Sequence, residues 1–252
     1  MSGAVYPSLQ DKLVVITGGG SGIGAALTEG FAIQGARVVF LDVAEADSRA
    51  LAAALSAHAH APQFIRCDLT DLTSLRSTLE GIASDHGPVE ILINNAANDD
   101  RHSLAEVTPE YWDDRIAVNL RHLYFAAQAV APAMRSAGKG VILNLGSISW
   151  HLGLPDLSLY ETAKAGIEGM TRALARELGV DGVRVACIVP GNVKTPRQMK
   201  WYTPEGEAEI VAAQCLKGRI EPQDVAALAM FLASDDARFI TGHEYFVDAG
   251  WR

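Results

Sequence analysis

Seven short, nearly uninterrupted apolar runs punctuate the chain: KLVVIT (12–17), ARVVFLD (36–42), QFIRCD (63–68), EILINN (90–95), GVILNLG (140–146), RVACIVP (184–190) and EYFVDAG (244–250). Most carry several β-branched residues and all are too short for a helix, so each predicts a strand. Between them apolar residues recur at amphipathic helical spacing, over about 22–34, 46–58, 71–86, 109–136, 158–179, 205–216 and 222–233. Strands that are apolar on both faces and alternate with helices predict a parallel sheet covered on both sides. Right-handed crossovers then make the fold α/β and doubly wound, a Rossmann-type sheet of seven mostly parallel strands. No repeat, low-complexity tract or Gly/Ser/Pro linker breaks the alternation. One domain over 1–252 is predicted, with a cofactor half at about 12–146 and a catalytic and substrate half at about 147–252. Residues 192–218 are the least regular long segment and follow the sixth strand, where a lid over a ligand would sit.

Composition narrows the function classes. Apolar residues are 49 % of the chain and charged residues 20 %, which suits a packed core rather than disorder. A formal net charge of −9 disfavours nucleic-acid and anionic-membrane partners, which need a basic face. Cys67, Cys187 and Cys215 are far apart and lack CxxC spacing; they read as reduced thiols of a cytoplasmic protein, with no metal site. The opening MSGAVYPSLQDK has neither the basic nor the apolar region of a secretory signal. No apolar run approaches the roughly 20 residues of a membrane span.

KLVVITGGGSGIGAA runs from the first strand through a glycine turn into the first helix. The missing Cβ atoms at Gly18, Gly22 and Gly24 allow a tight turn and close approach of a pyrophosphate. The helix N-terminus adds free N–H groups and partial positive charge. Asp42 ends the second strand about 20 residues on, where a carboxylate accepts hydrogen bonds from a ribose diol and repels a 2′-phosphate. No Lys or Arg immediately follows it in Val43, Ala44 and Glu45, which favours NAD over NADP. Asp68, at the third strand's end, is placed to accept from the adenine amino group.

YETAK sets Tyr160 and Lys164 at i and i+4 on one helix face. An ammonium near a phenol favours the phenolate, and a tyrosine so tuned can take a proton from an alcohol while hydride leaves the same carbon. Ser147, just past the fifth strand, can hold the substrate oxygen. Asn119 can bridge a proton-carrying water to the lysine.

TGGGSGIG (17–24), CDL (67–69), NNA (94–96), Asn119, Ser147, Tyr160–Lys164 and PGNVKT (190–195) occur in the order and spacing of the classical short-chain dehydrogenase/reductases, which this sequence resembles over nearly its whole length. The resemblance implies that Asn119, Ser147, Tyr160 and Lys164 are the catalytic tetrad. It implies that Ser21, Ile23, Leu69, Asn95 and Ala96 lie along the cofactor beside the glycines, that Lys164 also touches the nicotinamide ribose, and that Val193 and Thr195 sit near the carboxamide. It further implies a homo-oligomer, a tetramer built by helix packing. There are departures: Ala97 stands where a glycine is usual, Glu161 where a small neutral residue is common, and Asn192 where an apolar residue is frequent. An acid and an amide near the reacting oxygen suggest a polyhydroxylated substrate.

Polar and aromatic groups should gather at the strands' carboxyl ends: Asn98 to His102 after the fourth strand, Ser149, Trp150 and His151 after the fifth, Asn192 after the sixth, and Gln198, Trp201 and Tyr202 in the lid candidate. A sugar suits that mixture, with amides, carboxylates and imidazoles for its hydroxyls and an aromatic surface for its C–H face. Asn98, Ser147, Ser149, His151, Tyr160, Asn192 and Tyr202 are the expected substrate contacts. Asp99, Asp100 and Arg101 fit either sugar recognition or a solvated loop with internal ion pairs. His102 is expected to be structural or to lie at a subunit contact. Two other readings stand beside a sugar dehydrogenase: a polyol or hydroxy-acid oxidoreductase of the same family, and a non-catalytic nucleotide sensor. The intact Ser147, Tyr160 and Lys164 argue against the sensor, which has no need of a poised base.

Overall fold

A computed structural model describes residues 3–200 and 202–251; Trp201 lies outside the described residues. The seven runs fold as β1 (Leu13–Thr17), β2 (Arg37–Asp42), β3 (Gln63–Arg66), β4 (Ile91–Asn94), β5 (Gly140–Leu145), β6 (Val183–Pro190) and β7 (Glu244–Val247). They form one sheet in the order β3-β2-β1-β4-β5-β6-β7, and every pairing is parallel. The winding reverses between β1 and β4. The crevice outside the carboxyl ends of those two strands is where such a sheet accepts ligands.

Around the sheet lie α1 (Gly22–Ile33), α2 (Glu45–Ala54), α3 (Leu72–His86), α4 (Pro109–Ile116), α5 (His122–Ala137), α6 (Ser149–Leu152), α7 (Ser158–Leu178), α8 (Pro204–Ala213) and α9 (Pro222–Ala233). Val14 and Ile16 of β1 join one apolar layer with Phe31 of α1 and Val225 and Leu232 of α9. Leu13 and Val15 join the opposite layer with Leu75 and Leu79 of α3 and Val130 and Met134 of α5. Alternate side chains thus enter different cores, which is why β1 reads as an unbroken apolar run. Each fully buried side chain of this size contributes about 1.5–3 kcal/mol.

Two departures from the expected elements stand out. The helix expected over 109–136 is interrupted: α4 gives way to a π turn at Ala117–Arg121 before α5 begins. A single widened turn leaves hydrophobic periodicity almost unchanged, so the pattern does not reveal it; such turns are frequent at functional segments, and this one contains the fully buried Asn119. The last strand ends at Val247, because Ala249 (φ 55°) and Gly250 (φ 72°) turn the chain left-handed. The segment 192–218 is an excursion whose ends meet. Val193 bridges Ile220, Lys194 N–H donates to Ile220 O at 2.8 Å, and α8 lies between them.

The π turn also buries a histidine with an acid sensitivity. His122 is fully buried, its Nδ1 lies 3.4 Å from Ala117 O, and its Nε2 has no partner among the described residues. Burial brings its pKa from 6.5 down to about 4, against the Ala117 carbonyl and assisted by repulsion from Lys164. Between those two values the unfolded chain binds a proton that the folded chain refuses. Stability contributed by neutral His122 is therefore complete above pH 6.5 and is lost as pH falls toward 4, up to roughly 3 kcal/mol. Denaturant titrations from pH 7.5 to 4 should show a steeper loss in wild type than in His122→Phe. Parallel curves would refute this account.

Candidate active site

The glycine turn is tied at every corner. Gly18 N–H and Gly19 N–H both donate to Leu41 O, and Thr28 Oγ donates to Gly19 O. Asn95 Nδ2 donates to Thr17 O (3.1 Å) and Gly18 O (2.8 Å), so this amide braces the loop from β4. A Cβ at Gly24 would lie 1.8 Å from Gly18 O; the helix enters so close beneath the loop that no side chain fits. Ser21 is the exposed N-cap of α1, and its hydroxyl makes no capping bond. Together these place free N–H donors, a helix dipole and an uncommitted hydroxyl at the floor of an open cleft, the donor set a pyrophosphate requires.

That cleft, about 740 Å³, runs past Gly18, Ser21, Gly22, Ile23 and Gly24, then Asp42, Asp68 and Leu69, then Asn95, Ala96 and Thr195. Asp42 Oδ2 accepts from Gly20 N–H and Oδ1 from Ala44 N–H, both at 2.9 Å, so the carboxylate is fixed at the cleft wall. Asp68 Oδ1 accepts from the Thr70 backbone and hydroxyl, and those bonds lower its pKa. Arg66 lines the same wall, in register with Asp42 across the β2–β3 pair. Chain order had shown no cation next to Asp42; strand pairing supplies one.

A second cavity of about 220 Å³ adjoins the cleft. It is lined by Ser147, Ser149, Lys164, Asn192, Val193 and Tyr202. Tyr160 lines both spaces and so stands where they meet. Ser147 Oγ lies 2.8 Å from Ser149 Oγ. Lys164 Nζ donates to Leu145 O at 2.7 Å and lies 5.4 Å from the centre of the Tyr160 ring. Burial brings the Lys164 pKa down to about 8. Burial, with the nearby Asp99 carboxylate, raises the Tyr160 phenol well above its ordinary value, against a hydrogen bond from Ser147 and the charge of Arg197. The depressed phenol expected from Lys164 is therefore not a property of the protein groups alone. A positive charge brought into the cleft would oppose that rise.

Some expected site residues do other work. Asn119 Oδ1 accepts from Asn98 N–H at 2.8 Å and its Nδ2 donates to Asn98 O at 2.9 Å. Both ends of the amide hold the chain after β4. Asn98 faces the cofactor cleft, and its Oδ1 accepts from Asp100 N–H and Arg197. His151 does not line the cavity. Its Nε2 lies 3.0 Å from Oε1 of the buried Glu168, which also accepts from Trp150 Nε1 at 2.8 Å. Glu161, expected beside the reacting oxygen, accepts from Leu154 N–H at 2.7 Å and braces the 153–157 turn. His102 is structural, buried with Nε2 3.1 Å from Ser158 Oγ.

The run NDDRH largely holds the excursion that follows β6. Arg197 Nε donates to Asp99 Oδ1 at 2.8 Å, and its Nη2 to Asp100 Oδ1 at 2.8 Å; Gln198 Nε2 donates to Asp99 Oδ2 at 2.7 Å. Asp100 also pairs with Arg115, and Arg101 reaches Pro155 O. Asn192 is wired into the same flap, donating to Tyr202 OH and accepting from Arg219 at 2.8 Å. Sequence reading missed Arg197, Arg219, Glu168 and Trp251, the last of which lines the small cavity. The side-chain partners of Arg197, Arg219 and Glu168 lie from 12 to 99 residues away, and no local pattern marks them.

A family model described as enoyl-(acyl carrier protein) reductase matches residues 18–252. The chain is 67 % identical, over the full length of both, to D-xylose 1-dehydrogenase of Caulobacter vibrioides. It is 46 % identical to a probable galactose dehydrogenase of Rhizobium meliloti, covering 97 % of this chain and 96 % of that one. It is 35 % identical to D-threitol dehydrogenase of Mycolicibacterium smegmatis, covering 96 % and 94 %. The crystal structure of gox2181 superposes with a TM-score of 0.91 at 27 % identity, covering 97 % of this chain and 98 % of that one.

Proposed function

The chain belongs to the short-chain dehydrogenase/reductase family, and from that premise we propose that it is an NAD-dependent aldose 1-dehydrogenase oxidising D-xylose to its lactone, with L-arabinose as a second substrate. The observation that carries the reading is Tyr160, standing between a large open cleft and a small cavity of mixed polar and aliphatic lining, with Ser147 and Lys164 beside it. The full-length identity to D-xylose 1-dehydrogenase supports the choice of sugar. The cavity's small volume, with Ser147, Ser149, Asn192 and Tyr202 set among its aliphatic residues, suits one pyranose better than a steroid or long acyl chain.

A nicotinamide dinucleotide is the cofactor; when bound it accepts the hydride from C1 and brings positive charge beside Tyr160. Ser147 holds the C1 hydroxyl. Tyr160 takes its proton, and Lys164 assists by charge and by binding the ribose. A hemiacetal hydroxyl is more acidic than an ordinary alcohol, and the lactone product is neutral, so neither proton removal nor release meets a large electrostatic barrier. The residues proposed to line the cofactor are Gly18, Ser21, Gly22, Ile23, Gly24, Asp42, Asp68, Leu69, Asn95, Ala96, Val193 and Thr195. Ser149, Asn192 and Tyr202 are proposed for the sugar. A homotetramer held by helix packing is proposed with it; the groove lined by Tyr124, Ala131, Pro132 and Leu174 is a surface that such packing would cover. Among the described residues no helix is long and apolar enough to cross a membrane, and a cytoplasmic location is proposed.

NADH absorbance at saturating NAD, across D-xylose, L-arabinose, D-glucose, D-ribose and a simple secondary alcohol, tests the reading. A preference for D-xylose supports it; turnover of the simple alcohol without any pentose removes the sugar. Cofactor choice has its own test. Asp42→Ala should raise kcat/KM for NADP about tenfold or more, because the repelling carboxylate goes while Arg66 remains opposite position 42 on β3. Adding Arg66→Ala should reverse that gain. Equal use of NAD and NADP by wild type would defeat the role given to Asp42.

A further inference from the structure

We propose that Trp251 is the stacking platform for the sugar ring, a specificity-determining residue carried by the C-terminal tail. The inference rests on the sugar reading above and names the group that recognises the sugar's apolar face. Trp251 lines the same cavity as Ser147, Tyr160 and Asn192, yet it lies more than 50 residues beyond any of them in the chain.

The tail is built to place it there. After β7, Gly191 N–H donates to Val247 O at 2.8 Å, fastening the tail to the end of β6. Asp248 Oδ1 accepts from Gly250 N–H at 3.0 Å, and Trp251 N–H donates to Asp248 O at 3.2 Å, closing a turn. Ala249 O accepts from both Cys215 N–H and Leu216 N–H, so the far end of the flap clamps the same turn. Two consecutive left-handed residues, Ala249 and Gly250, reverse the chain. A Cβ at Gly250 would lie 2.9 Å from the Cys215 Cβ, so the reversal also requires glycine's lack of a side chain.

Of the other two aromatic residues of this cavity, Tyr160 is the proposed base and Tyr202 is already engaged. Tyr202 donates to Gln198 Oε1 at 2.8 Å, accepts from Asn192, and carries Arg219 over its ring. Among the described residues, no ring and no cation packs against Trp251. The cavity thus presents amide, hydroxyl and phenol groups, the aliphatic side chains of Ile148, Leu152, Leu154 and Leu157, and one flat apolar surface, the indole of Trp251. A pyranose has that same duality, with hydroxyls around its rim and C–H bonds on its face.

Steady-state kinetics of Trp251→Ala, Trp251→Phe and Trp251→Leu, with NAD affinity and melting temperature measured alongside, test the proposal. Stacking is made equally in ground and transition states, so its loss falls on KM rather than kcat. Trp251→Ala should raise KM for D-xylose roughly tenfold, Trp251→Phe should retain most of the affinity, and Trp251→Leu should behave like alanine. An unchanged KM in Trp251→Ala would overturn the proposal. So would Leu performing as well as Phe, which would mean simple space filling, or a matching loss of NAD affinity. If the alanine variant does not fold, the Phe–Leu pair still decides. Wild type is the control that separates the two readings. No sugar turnover in wild type removes the sugar function and this inference with it. Sugar turnover that is indifferent to Trp251 removes this inference alone.

Discussion

Tyr160→Phe is expected to lower kcat by about 10²–10⁴-fold while leaving NAD affinity within about threefold. The substitution deletes one hydroxyl and keeps the ring, so packing at the junction of cleft and cavity is retained. The deleted oxygen is the base proposed for the C1 proton, and the neighbouring groups are poor substitutes for it. Ser147 is a far weaker base, and Lys164 is held on Leu145 O. Because the phenol of the protein alone is raised by burial and by Asp99, wild-type turnover should also climb with pH through the neutral and mildly alkaline range. That climb should be absent from the residual activity of the variant. Initial rates from pH 6 to 10, with NAD titrations of both proteins, measure both effects. Near-wild-type turnover in Tyr160→Phe would end the catalytic assignment.

The second large effect is structural. Gly24→Ala should lower NAD affinity more than tenfold and destabilise the protein by about 3 kcal/mol or more. The added methyl would meet Gly18 O at 1.8 Å and Asn95 Nδ2 at 2.8 Å. The first contact is with backbone that is itself held by Leu41 and Asn95, so the loop has nowhere to retreat without losing those bonds. Relief must come from moving α1 away from β1, which withdraws the helix N-terminus from the phosphates and opens the layer containing Ala26 and Leu27. Calorimetric NAD titration and thermal unfolding report the two losses. A variant with both properties intact would show that the loop has slack that the geometry denies.

Chain order reveals a good deal here, for reasons that are local. A buried parallel strand needs apolar residues on both faces, so Leu13–Thr17 and Ile91–Asn94 declare themselves without reference to their partners. Two residues one helical turn apart must share a face, so Tyr160 and Lys164 are legible as a pair. A glycine that must admit a helix beneath a loop is also legible, because strand, turn and helix are contiguous.

What chain order conceals is long-range, and folding decides it. Arg197 meets Asn98, Asp99 and Asp100 across about a hundred residues, so NDDRH reads equally well as a sugar site or as a solvated loop until its partner is known. Arg66 comes beside Asp42 through strand pairing. His151 is taken by Glu168 from α7, and Asn119 by the backbone of Asn98. Trp251 reaches the cavity because a left-handed turn, clamped by Cys215 and Leu216, reverses the last residues of the chain. Side-chain chemistry is written residue by residue. Which of two suitable partners a polar group takes is set by distances that exist once both cores have closed on the sheet.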